Sequence, residues 1–169
     1  MKKIYVIITI VLISSYSCKA QTNQLTETEF DNIKINNITL RNIINTKGNE
    51  TKIKTLLGSN IISQSNTTGP SIGKDFWNDA VYLNFEDESN TGSQYNLTNI
   101  QIKNSSMNIN IKGITAKLGD NVNIFGNGIV INTNKGDNSV VFISELSSSI
   151  AFKIDKITNK IIEIVFNSF

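Results

Sequence analysis

Apolar positions along this chain fall into one unbroken run followed by a series of short alternating stretches. The run is Ile4 to Ile13 (IYVIITIVLI), interrupted only by Thr9. Beyond it, Ile33-Lys34-Ile35 alternates apolar and polar, and Ala80 to Phe85 places Val81, Leu83 and Phe85 on one face and Tyr82 on the other. Tyr95 to Lys103 and Met107 to Lys112 read as a strand pair, and Ile129 to Asn132, Val140 to Ile143, Ile150 to Ile154 and Ile161 to Phe166 as further strands. A period of two marks a strand with one face buried. Glu50 to Leu57 instead has helical spacing, with Ile53, Leu56 and Leu57 on one side, Asn49 placed to cap its start and Gly58 to stop it. A shorter helix is expected through Phe125, capped by Asp120 and ended at Gly126. Asn134-Lys135-Gly136-Asp137 has hairpin-turn chemistry, Lys156 to Asn159 is a turn, and Gln64 to Lys74, with Gly69 and the only proline, Pro70, reads as a surface loop. Strand signals outnumber helix signals heavily. The predicted fold is β-rich α+β, an antiparallel sheet with one or two short helices on one face.

The first apolar run has a different meaning from the rest. Met1-Lys2-Lys3 is basic, the run follows, and Ser14 to Gln21 is polar and rich in small residues. A charged start, an apolar stretch of about 7–15 residues and a small-residue cleavage region make a secretory signal. The stretch is too short for a membrane span, which needs about 20 apolar residues. Two cleavages fit. Cys18 and Ala20 stand in a small-x-small arrangement that allows a cut after Ala20. Alternatively, cleavage before Cys18 makes its thiol a lipid acceptor. The segment resembles a bacterial lipoprotein signal, in which a small residue, here Ser17, precedes a cysteine at the end of the apolar run. Ser15 and Tyr16 depart from that pattern, which usually has Leu three places before the cysteine and a small residue two places before. Cys18 is the only cysteine, so it forms no intramolecular disulfide. The expected organisation is a signal over 1–20, a linker over 21–30 and one domain over 31–169.

A weak internal repeat divides that domain into 31–105 and 106–169. Ile35-Asn36-Asn37-Ile38-Thr39-Leu40, then a helix ending in Leu-Leu-Gly, opens the first unit. Ile111-Lys112-Gly113-Ile114-Thr115-Ala116, then a short helix ending in Phe-Gly, opens the second. The order strand, helix, antiparallel strands, written twice, resembles β-lactamase-inhibitor-like proteins and small outer-membrane-assembly lipoproteins. That resemblance implies helices on one face of a sheet and binding through the sheet or its loops, with protein partners. It transfers no catalytic residues.

Composition narrows the chemistry. There is no histidine, and past Cys18 no cysteine, so Ser-His-Asp and Cys-His nucleophiles, and zinc or iron sites built on those ligands, are ruled out. The formal charge is +2. Loss of Lys2 and Lys3 brings the mature chain to neutrality, and cleavage after Ala20 removes Lys19 as well. The remaining lysines are scattered, which argues against nucleic acid as a partner. Charged residues are 18%, below the roughly 25% of soluble domains, and Asn, Ser and Thr supply the polarity. That Asn- and Ile-rich bias resembles proteins of the Bacteroidota.

Three groups of residues deserve placement. Glu86, Asp87 and Glu88 form the only acidic cluster and read as a solvated turn rather than a cation site, since an EF-hand's alternating spacing is absent. Phe76, Trp77, Tyr82, Phe85 and Tyr95 concentrate the aromatics. Phe76 and Phe85 read as core, with Trp77 as a lid over the sheet edge and Tyr82 the most exposed member; the alternative is a binding face, with Trp77, Tyr82 and Tyr95 as the candidate binding residues. Ser71 and Lys74 match S-x-x-K, but Pro70 and Gly73 argue against the helix that motif needs. The expectation is a non-enzymatic envelope protein, without cofactor or metal, that binds a protein or envelope component and meets the membrane through an N-terminal lipid. Rival readings are a secreted carboxylate-based hydrolase and a purely structural surface protein.

Overall fold

A computed structural model describes residues 23–67, 71–127, 129–133, 138–145 and 147–168. The leader with Cys18, the 134–137 turn and Pro70 lie outside the described residues.

The elements follow from local chemistry. Strand β1 (Gln24–Leu25) leads into helix α1 (Glu27–Asp31), where Thr26 and Glu29 form a reciprocal capping box. A two-residue hairpin, β2 (Lys34–Ile35) and β3 (Ile38–Thr39), precedes α2 (Leu40–Ile44), which Thr39 caps. Helix α3 (Glu50–Leu57) begins at Asn49, whose side chain accepts from the Lys52 amide at 3.0 Å, and ends at Gly58 with φ 111°. Four strands follow in a meander, β4 (Ile62–Asn66), β5 (Ile72–Trp77), β6 (Val81–Asp87) and β7 (Asn96–Ile102). The order then recurs. Hairpin β8 (Asn108–Ile111) and β9 (Ile114–Lys117) is followed by a 3₁₀ turn over Val122–Phe125. A second meander closes the chain, β10 (Ile131–Thr133), β11 (Asn138–Ser144), β12 (Ser149–Ile154) and β13 (Ile161–Asn167).

The two halves meet along two antiparallel seams. In the large sheet, β7 pairs with β13, Ile102 opposite Ile164 and Asn99 opposite Asn167, so the order runs β4-β5-β6-β7-β13-β12-β11, with β10 and β1 both on the far side of β11. In the small sheet, β2 pairs with β8, giving β3-β2-β8-β9. Both hairpins turn on two residues with positive φ, Asn36 and Asn37 in one and Lys112 and Gly113 in the other, as a type I′ turn requires. Asn36 also accepts from the Asn108 amide at 2.8 Å, fastening one hairpin to the other.

Each meander carries a bulge at the corresponding place. Asn84 lies opposite Asn99 but Phe85 opposite Leu97, leaving Thr98 as the extra residue. Lys153 lies opposite Glu163 but Ile154 opposite Ile161, leaving Ile162. A bulge shifts the strand's alternation by one, and in both places it keeps apolar residues inside on either side of the shift. The inner face of the large sheet, the small sheet and the helices thus share one apolar cluster. Phe76 meets Phe85 edge-on at 5.8 Å, Phe125 meets Phe152 at 4.9 Å, and Phe30 of α1 reaches Phe166 at 6.2 Å.

The fold is β-rich α+β, with three short α-helices among the described residues. Four local expectations need correction. The segment expected as a linker over 21–30 holds β1 and most of α1, because β1 finds the edge of β11 and Phe30 finds the core. The loop expected over 64–74 is largely a strand pair, Ser65 opposite Lys74 and Asn66 opposite Gly73; its polar composition suits an edge strand. The strands over 95–103 and 107–112 do not pair with each other, since β7 joins the large sheet and β8 the small one. Asn121, not Asp120, caps the 3₁₀ turn, and Asp120 instead accepts from the Lys117 amide at 2.9 Å.

The bulge yields a test. Deleting Thr98 regularises the ladder and leaves Leu97 opposite Phe85, so urea unfolding should stay cooperative with a modest loss of stability. Deleting Gln101, where no bulge exists, forces Ile100 or Ile102 towards solvent and should abolish the cooperative transition. Equal damage from the two deletions would show that register is set elsewhere.

Candidate functional site

With the inner face of the large sheet buried, its outer face holds the exposed chemistry. Cross-strand register places Ile62, Trp77 and Tyr82 side by side on β4, β5 and β6, followed by Gln101 on β7. Trp77 and Tyr82 are half-buried and Ile62 is 55% exposed. The same row continues through Val165 and Ala151 to Val141. Aromatic and amide groups therefore occupy the first meander's share of the row, and small aliphatic groups the second's.

A polar network lies beside the aromatic pair. Asp75, next to Asn84 across the β5–β6 ladder, accepts from Tyr82 Oη at 2.7 Å, from Asn84 Nδ2 at 2.8 Å and from Asn66 Nδ2 at 3.0 Å. Thr98 donates to the Asn84 amide oxygen, Asn99 Nδ2 to Asn167 Oδ1 at 2.9 Å, and Gln101 Nε2 to Glu163 Oε1 at 3.3 Å. Partial burial pushes the Asp75 carboxyl up, but the donors Asn84, Tyr82 and Asn66 together outweigh it and hold the group below its usual range. The Tyr82 hydroxyl is pushed up to about 12, by burial first and by the Asp75 carboxylate it donates to. The ammonium of Lys103 lies 5.8 Å from the Tyr82 ring centre.

Of the three candidate binding residues, the fold brings two together. Tyr95 is 6% exposed and lies on the inner side of the sheet, where Lys74 Nζ sits 4.0 Å over its ring. The cause is the Thr98 bulge, which turns Leu97 and Tyr95 inwards. A signal existed in the sequence, since the apolar residues 95, 97, 100 and 102 break their period of two between Leu97 and Ile100. The residues missed were Asp75, Asn84 and Asn66, which look unremarkable until the ladders align them.

Of the acidic cluster only Glu88 lies exposed in a turn, as expected, whereas Glu86 and Asp87 do not. Glu86 and Asp87 lie within β6 and point to opposite faces, Glu86 accepting from Ser71 Oγ at 3.3 Å on the outer side and Asp87 fully buried. Asp87 organises the loop that follows. It accepts from the hydroxyl of Ser89, from the amides of Ser89 (2.9 Å), Ser93 (2.9 Å) and Gln94 (3.2 Å), and from Thr91 Oγ1 at 3.4 Å. The Ser89 hydroxyl above all, then those amides against the opposing effect of burial, hold its carboxyl far below the usual range.

What this can do chemically is limited in a specific way. A carboxylic general acid needs a raised pKa, whereas Asp75 and Asp87 both move down. Ser71 and Lys74 are not assembled as a pair, because Ser71 reaches Glu86 on the outer face and Lys74 reaches Tyr95 on the inner one. Among the described residues no three His, Cys, Asp or Glu side chains cluster as a metal site, and no helix is long and apolar enough to cross a membrane. The chain matches no family model, no curated protein and no solved structure.

Two outcomes check these electrostatics. The lowered Asp87 pKa stabilises the fold fully above the unfolded value, near 3.8, and that contribution is lost as pH falls through the folded one. Asp87→Asn should lower the melting temperature at pH 7 by on the order of 5 °C, with the gap to wild type closing below about pH 4; a gap constant with pH contradicts this. Absorbance of tyrosinate should show a transition at about 12 that is missing in Tyr82→Phe. In Asp75→Asn it should move part of the way back, burial being the larger cause.

Proposed function

We propose that this is an exported, non-enzymatic envelope protein, tethered by a lipid on Cys18, that binds a protein or envelope component through the outer face of its large sheet. The observation that carries the reading is the Trp77–Tyr82 pair, half-exposed on the outer face of the sheet, with the Tyr82 hydroxyl held by Asp75. Aromatic side chains with a polar end are common anchors of interfaces. A Tyr82 ring already held by its bond to Asp75 lowers the ordering cost of binding. The export and tether rest on the basic start, the apolar run and the position of the sole cysteine. Lipidation supports stable attachment when more than one chain is added, each buried CH₂ contributing about 0.8 kcal/mol.

Crosslinking in the native envelope, followed by pull-down, should recover a partner with wild type and lose most of it with Trp77→Ala plus Tyr82→Ala. Circular dichroism must show the double variant folded. Unaltered recovery from a folded variant removes the aromatic face from the reading. Palmitate should label wild type and not Cys18→Ala. An unlabelled wild type replaces the tether with simple secretion after Ala20.

A further inference from the structure

The chain enters the fold at a particular corner of the outer face, and that corner is the aliphatic one. Asn23 is the first described residue. Its side chain bonds both backbone groups of Val130, donating to the carbonyl at 2.9 Å and accepting from the amide at 3.3 Å, and its carbonyl accepts from the Ile143 amide at 2.9 Å. Around it, Val130 and Ile143 are each 50% exposed and Ile131 is 40% exposed. These are three of the seven large apolar residues most open to solvent among the described residues, gathered at one edge of the sheet. Val130, Val141 and Ile143 line a shallow groove of about 420 Å³ with Asn23, Gln24 and Asn132.

From Cys18 to Asn23 is five residue steps, at most about 18 Å when fully extended. The linker expected over 21–30 would have allowed the domain to stand off; β1 and α1 take up most of it. We infer that the Val130–Ile143 corner seats on the lipid bilayer surface, its apolar side chains entering the headgroup region beside the acylated cysteine. The inference rests on the lipid anchor proposed above. It also sets a distance. Strands lie about 4.8 Å apart, and β6 is four strands from β11, so the Trp77–Tyr82 pair stands about 20 Å from that edge along the same outer face.

The test uses the mature acylated protein, in which Cys18 is blocked and an introduced cysteine is unique. Ile143→Cys and Val130→Cys are labelled with an environment-sensitive fluorophore. So are Ile62→Cys, on the opposite edge strand, and Ile157→Cys, 91% exposed in the turn at the far end of β12. Each is reconstituted into phosphatidylethanolamine–phosphatidylglycerol vesicles carrying brominated lipid. All four sites are exposed, and a cooperative melt confirms that each variant folds. Quenching by the brominated lipid should be several-fold stronger at 143 and 130 than at 62 and 157. Equal quenching at the four positions overturns the inference, as does shielding of 143 in the same protein without vesicles, which would mark a contact between copies. Intact mass on the same sample separates the two readings. No acyl mass defeats the anchor, whereas acylated protein with an unquenched 143 defeats only the seating.

Discussion

One-sided burial of the large sheet is the constraint on which the rest of the molecule depends. Its inner face is closed by the small sheet and the helices into one apolar cluster, so the parity of each residue within its strand decides whether it is structure or surface. The bulges at Thr98 and Ile162 are the points at which parity is reset. Without the first, Leu97 and Tyr95 would face solvent beside Tyr82, and the outer face would be a broader aromatic surface. With it, Tyr95 becomes a wall of the core under the Lys74 ammonium. One extra residue thus separates a binding candidate from a packing residue.

The two meanders meet symmetrically at β7 and β13, and the two hairpins at β2 and β8. The bulges correspond as well. This likeness makes their differences informative. At matched places in the outer row, Trp77 stands against Val141, Tyr82 against Ala151 and Gln101 against Val165. The inner residues at matched places stay apolar, Leu83 against Phe152 and Phe85 against Ile154. The core demands apolar volume in both halves, while the outer face has no such demand and differs between them.

Much of the fold was legible because it is written in local chemistry. Asn49, Ile53 and Gly58 mark α3 by cap, face and stop; Val81, Leu83 and Phe85 mark β6 by alternation. Asn36-Asn37 and Lys112-Gly113 precede Ile-Thr in both halves because a type I′ turn needs positive φ there. What the sequence concealed is mostly long-range. Gln24–Leu25 is too short to read as a strand until the edge of β11 is known. Ile62–Asn66, with its sequence ISQSN, reads as loop because an edge strand can be polar. Within the site, Trp77 and Tyr82 were visible as aromatic residues, but Asp75 gained meaning only when the ladders set Tyr82, Asn84 and Asn66 around it. Asp87 was hidden for the opposite reason. Its neighbours Glu86 and Glu88 made a buried acid look like part of a solvated run.

The outer face could have been blunted far more simply. A solvent-facing sheet needs only scattered charges to stay soluble and to discourage edge pairing. Here the aromatic half instead carries hydroxyl, amide and carboxylate groups bonded to one another across four strands, from Asn66 on β4 to Thr98 on β7. Such bonds hold rotamers that water would otherwise free, at an entropic cost with little return in stability on an exposed surface. Under the binding proposed above that order has a return, because side chains already fixed need not be fixed again. Asp87 shows the contrast on the opposite face of the sheet, on β6. Its bonds close a loop that the fold requires, whereas those of Asp75 fix side chains that the fold could leave loose. The physical distinction between scaffold and candidate site in this protein is therefore one of which face of β6 and its neighbours a side chain occupies, more than of which residue type it is.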